Sequence, residues 1–350
     1  MTEPESVEPR HPFVEMTITR LLLLVREPEM IFWVFIFPLL MALALGIAFQ
    51  SPSAAPVAVA VEQGAGAAEL LDALAAHESV EIVSLAPGAT AAALRDGLAH
   101  VVVAPGDPPT YRYDPTRPES RLARQTVDDL LQRAAGRRDV WSGRNETVTA
   151  PGSRYIDWLI PGLLGMNIMG TGMWGIGFTL VVQRTRKLLK RLIATPMRRH
   201  QYLAALVTAR LVLLALELVA LVGFARLMFG VPIEGSLASL AAVSLLGAMT
   251  FGGIGLLTAS RAQTIEGVSG IMNVVMAPMW ICSGVFFASS NFPDAMQPFI
   301  QALPLTALND ALRGVMLDGN GLIANGPDLL ILAAWAVASF GVALRIFRWR

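Results

Sequence analysis

The sequence predicts a mainly α-helical polytopic membrane protein: six transmembrane helices, both termini cytoplasmic, plus a small extracytoplasmic α/β domain. Three observations predict it. Of 350 residues, 54% are hydrophobic and only 15% are charged, whereas a soluble surface carries about 25–35% charged residues. Apolar runs long enough to cross a bilayer, about 20 residues each as helices, recur six times. One long hydrophilic region, residues 51–153, interrupts them, and strand-like and helix-like patterns alternate within it.

In chain order, residues 1–29 read as a cytoplasmic tail and an interfacial helix. In PFVEMTITRLLLLVREPE, Val14, Ile18, Leu21, Leu22 and Val25 recur at steps of three and four. One apolar face of that kind suits a helix lying in the membrane interface. Pro28 favours a bend before the first span. That span, residues 30–49, is uncharged and too long for a signal-peptide core, so it reads as uncleaved.

Residues 50–155 read as the α/β domain. PVAVAVE, VEIVSL and AHVVVA have strand patterns; residues 66–77, 90–98 and 120–135 have helical ones. Asn145-Glu146-Thr147 is a glycosylation sequon. The region holds no paired carboxylates, His cluster or nucleophile–base set, so binding or gating is expected of it rather than catalysis.

Five further spans follow at residues 156–182, 202–230, 237–259, 267–288 and 329–347. Six spans return the C terminus to the side of the N terminus, and basic loops mark the cytoplasmic side. Arg10, Arg20 and Arg26 precede the first span. RTRKLLKRLIATPMRRH, residues 184–200, holds seven Lys/Arg and no acid between spans two and three. Arg261, Arg345, Arg348 and Arg350 fall on the same face. The opposite face carries Glu234, Asp294, Asp310, Asp318 and Asp328 against Arg313.

Several chemistries are excluded. There is no G-x-x-x-x-G-K-[ST] and no H-E-x-x-H. One cysteine, Cys282, rules out an intrachain disulfide and a cysteine metal cluster. Gly267-Val268-Ser269-Gly270 has the look of an intramembrane serine motif, but His11, His77, His100 and His200 all lie outside the spans, so Ser269 lacks a base. Net charge zero argues against nucleic acid. No catalytic residue, metal site or bound cofactor is expected. The glycines of span two (Gly162, Gly165, Gly170, Gly172, Gly175, Gly177) allow close helix approach. Glu217, mid-span and seven residues from Arg210, has two readings: half of a structural ion pair, or a polar contact in a translocation path.

Three motifs, in this order, carry a resemblance. The first is Arg26-Glu27-Pro28 leading into FIFPLLMALALG. The second is LLKRLIATPMRR, with Leu189, Lys190, Arg191, Leu192, Ala194, Thr195 and Pro196. The third is SGVFFASSNFPDAMQPFIQALPLTALNDALRG, with Ser283, Gly284, Phe286, Phe287, Pro293, Pro304, Leu305, Thr306 and Arg313. Together they resemble the permease subunit of an ABC-2 type transporter. Many members carry acidic residues and a glycine just before the second motif, where this chain has Arg184-Thr185-Arg186-Lys187.

The resemblance implies several expectations. Arg26, Glu27, Pro28, Lys190, Arg191, Leu192, Ala194, Thr195 and Pro196, in a cytoplasmic coupling loop 183–201 and the helix before it, would contact a separate ABC ATPase subunit. ATP and Mg would be bound there and not by this chain. Residues 289–316, as short re-entrant or interfacial helices, would form an outer gate with Phe286, Phe287, Pro293, Pro304, Leu305, Thr306 and Arg313. A second permease subunit, identical or paralogous, would complete a dimer in a bacterial plasma (inner) membrane. The cargo would be hydrophobic or amphipathic: a drug, antibiotic or lipid-like molecule moved outward. The rival reading is a membrane receptor or envelope assembly scaffold whose outer domain binds a ligand or protein. An ion-coupled transporter would need discontinuous helices and several midplane charges.

Overall fold

The computed structural model describes residues 12–49, 56–77, 79–138, 141, 143–144, 146, 152–186 and 199–346. The chain divides into two compact units, Met1–Gln50 with Thr149–Arg350, and Ser51–Val148.

The first unit is a helical bundle. Among the described residues, six helices are long and apolar enough to cross a membrane: α2 (Pro28–Ala48), α6 (Tyr155–Thr185), α7 (whose apolar part is Val207–Phe229), α8 (Leu237–Ala259), α9 (Ile265–Cys282) and α12 (Gly326–Ile346). As a continuous helix, α7 runs from Arg199 to Phe229. The N-terminal helix α1 (Pro12–Arg26) packs against it. Val14 and Leu22 of the predicted apolar face of α1 are exposed, Ile18 and Leu21 half-buried. The side chain of Val25 lies outside the described residues. Glu27 leaves the helical conformation (φ −103°, ψ 90°) and Pro28 begins α2. Proline suits a first-turn position because the N–H it lacks has no helical partner there.

The centre of the bundle is α6 against α8. Its close approach is bought by glycine. A Cβ at Gly172 would sit 2.8 Å from Phe251 Cβ, and one at Gly255 would sit 2.9 Å from Met173 Cα. Helix α12 packs on another face of α8, where Thr250 Oγ1 lies 2.8 Å from the Leu246 carbonyl and 3.0 Å from that of Leu332. The one-turn π segments Phe32–Ile36 in α2 and Met173–Phe178 in α6 each shift the helical register once.

The fifth span ends at Cys282, six residues before the predicted 288. The next turn needs φ +70° at Gly284, a left-handed value that glycine adopts without Cβ strain. Beyond it the chain forms two 3₁₀ turns, α10 (Gln297–Gln301) and α11 (Pro304–Met316). Helix α11 is no surface turn. Eleven of its thirteen residues are buried, against α6, α8 and α12.

The second unit is an α/β layer. Its sheet has strand order β2-β1-β3-β4. β1 (Val57–Glu62) pairs in parallel with β2 (Val80–Leu85) and β3 (Val101–Ala104); β4 (Thr110–Tyr113) is antiparallel to β3. The inner strands β1 and β3 are buried on both faces, hence their unbroken Val/Ala composition. Helices α3 (Ala67–Ala75) and α5 (Pro118–Ala134) close a core of Val59, Val61, Leu74, Val101, Val103, Ala123 and Val127. The short α4 (Thr90–Arg95) brings Leu94 to the opposite face, beside Ala60, Ala99 and Val102. The fourth strand was not expected. TYRY is four residues long, and its exposed positions are polar, so the strand signal is carried by Tyr111 and Tyr113 alone.

Candidate functional site

The helical bundle has two ends, and hydrogen bonds identify what shares each. At one end, Arg184 in the last turn of α6 donates to the carbonyls of Ala259 (3.4 Å) and Ala262 (3.3 Å). Those carbonyls lie where α8 ends, and a cation there suits the negative end of a helix dipole. The basic stretch therefore leaves the bundle beside the loop between spans four and five. Arg26 and Pro28 are exposed at the junction of α1 and α2, as is Glu27. Of the predicted coupling residues, Lys190, Arg191, Leu192, Ala194, Thr195 and Pro196 lie outside the described residues. Arg184 was read in the sequence as part of the basic stretch and as a departure from a motif, and its anchoring role needed the fold.

At the other end, Arg154 pairs bidentately with Asp157 (2.9 and 2.7 Å) and donates to the carbonyl of Phe229 (2.9 Å). This ties the start of α6 to the end of α7. The hydrogen bonds to Asp157 hold the Arg154 guanidinium above its usual pKa.

Beside it sits the assembly around Arg313. Its guanidinium stacks over the Trp158 ring at 3.9 Å. It donates to the carbonyls of Trp158 (3.4 Å) and Gly284 and to Asp310 (3.3 Å). One planar cation thus joins α6, the turn after α9, and α11, a role that suits the rigid fork of arginine better than a lysine. Asn309 donates to the Ser283 carbonyl (2.8 Å), and the Tyr155 hydroxyl to that of Phe286 (3.1 Å). Gly162 makes room: a Cβ there would lie 2.7 Å from the Val285 carbonyl oxygen and 3.2 Å from Arg313.

The structure brings together Arg313 and Phe286 of the predicted gate set, with Ser283 and Gly284 of the same sequence motif. Pro304, Leu305 and Thr306 are buried in the first turn of α11, while Phe287 and Pro293 are exposed. Trp158, Asn309 and Tyr155 belong to the same assembly and were missed. Nothing in their spacing marks them, because they meet across distant parts of the chain.

Between the two ends lies a buried polar chain. Asn167 donates to the Val34 carbonyl (3.0 Å) within the π segment of α2. One turn on, Thr171 Oγ1 lies 2.8 Å from the Asn167 carbonyl and 3.2 Å from Glu217 Oε2. Arg210 donates to Glu217 (3.2 Å) and to the Thr171 hydroxyl. The Glu217 side chain is 0% exposed and that of Arg210 12%. Glu217 is therefore paired and hydrogen-bonded, as a buried carboxylate requires; the pair joins the third span to the second through Thr171, and Asn167 joins the second to the first.

A family model described as "ABC-2 type transporter" matches residues 124–317. The match covers more than half of the chain and includes spans two to five and the Arg313 helix. The chain belongs to the ABC-2 type transporter family. It is similar to ABC transporter G family member 20 of Dictyostelium discoideum, 29% identical over 174 residues, which are 49% of this chain and 24% of that protein. It is also similar to the inner membrane transport permease YhhJ of Escherichia coli (strain K12), 24% identical over 173 residues, 49% of this chain and 46% of the relative. Nodulation protein J of Bradyrhizobium diazoefficiens is 29% identical over 102 residues, 29% of this chain and 38% of that protein. The matched stretch is under half the length of each relative. This chain is thus a multi-pass membrane protein of the ABC-2 type transporter family.

Proposed function

We propose that the chain is the membrane-spanning subunit of an ATP-driven exporter, powered by a separate ATPase subunit and paired with a second permease subunit. The observation that carries this reading is the two-ended bundle of an ABC-2 family member. One end is where the seven-cation stretch begins, with Arg184 held at the carbonyls of Ala259 and Ala262. The other is closed by a buried helix pinned through Arg313. Nucleotide would act at the first end through Arg26, Glu27, Pro28, Lys190, Arg191, Leu192, Ala194, Thr195 and Pro196. The assembly of α11 would open at the second. On the positive-inside rule the first end would face the cytoplasm and the α/β unit the outside, in a bacterial plasma membrane. Cargo leaving past Phe286, Phe287 and Leu305 would be hydrophobic or amphipathic.

The test is a gentle purification of the tagged chain from its native membrane, in parallel with an Arg191→Glu, Thr195→Asp variant. The exporter reading expects an ABC ATPase with the first and none with the second. An envelope protein retained through residues 51–153, with no ATPase, would replace it with the receptor or scaffold reading.

A further inference from the structure

We propose that the first span is jointed at Val34–Pro38, and that Asn167 of the second span is the positioning residue that sets the angle of the joint. The joint follows from the sequence of α2. At the end of its π segment, the Phe37 N–H reaches back five residues to the Phe32 carbonyl. In the same register the next N–H would serve the carbonyl of Trp33; in the α register it would serve that of Val34. Residue 38 is proline, which has no N–H and serves neither. The change from π to α register therefore falls on a residue that cannot bond, and a helix bends where its ladder is broken.

Val34 and Pro38 are buried, and an unpaired carbonyl in the interior of a membrane protein is costly. Asn167, itself 7% exposed, supplies the missing donor: its side-chain amide lies 3.0 Å from the Val34 oxygen. The two parts of α2 rest on different helices. Phe32–Ile36 packs, with α1, against α7, whereas Phe37–Ala48 packs chiefly against α6. Asn167 belongs to α6. Its amide thus ties the inner part of α2 to the helix on which the outer part rests. With this bond made, the two parts are held at one angle. With it broken, α1 and the inner part can follow α7 away from α6, pivoting at Pro38. Packing alone would be met at position 167 by leucine; the Val34 carbonyl requires a donor.

Pro38→Ala gives the test a rescue, because alanine returns the N–H that the Val34 carbonyl lacks. In a Cys282→Ala chain, spin labels at Glu29→Cys and Leu344→Cys report the inner part of α2 against α12. Labels at Ile47→Cys and Leu330→Cys report the outer part. All four positions are exposed. Distances are read by double electron–electron resonance in lipid nanodiscs, each labelled chain being co-expressed with an excess of the Cys282→Ala chain so that distances within one chain dominate. Asn167→Leu should shift and broaden the first distribution and leave the second as it was. Adding Pro38→Ala should return the first to its original position and width. An unchanged first distribution, equal broadening of both, or failure of Pro38→Ala to restore the first overturns the proposal. If Asn167→Leu does not give monodisperse protein, Asn167→Ser takes its place, and a chain that Pro38→Ala fails to recover in either background overturns the proposal as well. Neither cargo nor ATPase enters the measurement, so failure of the exporter reading would leave it standing.

Discussion

Arg313 shows how much one side chain can organise at the end of the bundle where α11 is buried. It serves two main-chain carbonyls, Asp310 and the Trp158 ring. Arg313→Met removes the donor to the buried Gly284 carbonyl and the partner of Asp310. We expect a loss of about 2–4 kcal/mol, read as a lower midpoint of thermal unfolding in detergent. Arg313→Lys should fall between, keeping the charge and losing the fork. Glu217 separates its two readings by a cycle. Glu217→Leu alone strands Arg210 in the interior and should cost about 3–5 kcal/mol; adding Arg210→Met should restore most of that. If the double variant is stable and still transports, the pair is structural. If it is stable and silent, Glu217 belongs to the path. Charge also matters on the α/β unit, where Arg137 and Arg133 hold Asp129 below the usual carboxylate pKa. Its folded value is depressed, so its contribution is present above the unfolded value near ~3.9 and lost as pH falls through the folded one. Amide-exchange protection at the end of α5 should drop on acidification below pH ~4, and Asp129→Asn should flatten that dependence.

Among the elements, glycine placement decides which helices touch. A side chain at Gly162 meets the Val285 carbonyl, whereas Gly170 and Gly175 face open space. Gly162→Val should lower the thermal midpoint and disturb the assembly around Arg313, while Gly170→Ala should be tolerated. Equal effects of the two would show that sequence position and not packing sets the cost. The sequence marked all six glycines of span two alike, because it shows spacing and not the neighbour. Span four was legible to the residue: its apolar run is bounded by Ser236, whose Oγ accepts from the Ala238 N–H at 3.2 Å. Helix α11 was the hardest to read. Asn309, Asp310 and Arg313 give it the composition of an exposed loop, and only burial against three other helices shows where their hydrogen bonds go.

For the whole molecule, the unit Ser51–Val148 has a core of its own. Expressed alone it should give a cooperative thermal transition by circular dichroism; a gradual one would show that the sheet depends on the rest of the chain. Topology has an equally direct check. Asp96→Cys should react with an impermeant maleimide in intact cells, and Thr185→Cys only after permeabilisation, since both positions are exposed in the structure and the native Cys282 is buried. Identical labelling would refute the proposed sidedness. The sequence by itself determined the span number, the two-unit organisation and the family motifs. Hydrophobic length, strand and helix periodicity, and local charge are properties of contiguous residues. Only the tertiary structure decided that Glu217 is paired with Arg210 and Thr171, that α11 is buried, that Arg184 anchors the exit of the basic stretch, and that the Asn167 amide meets the Val34 carbonyl. Each of these depends on which side of a helix meets another helix, and a linear pattern leaves that choice open in a membrane, where apolar residues face both protein and lipid.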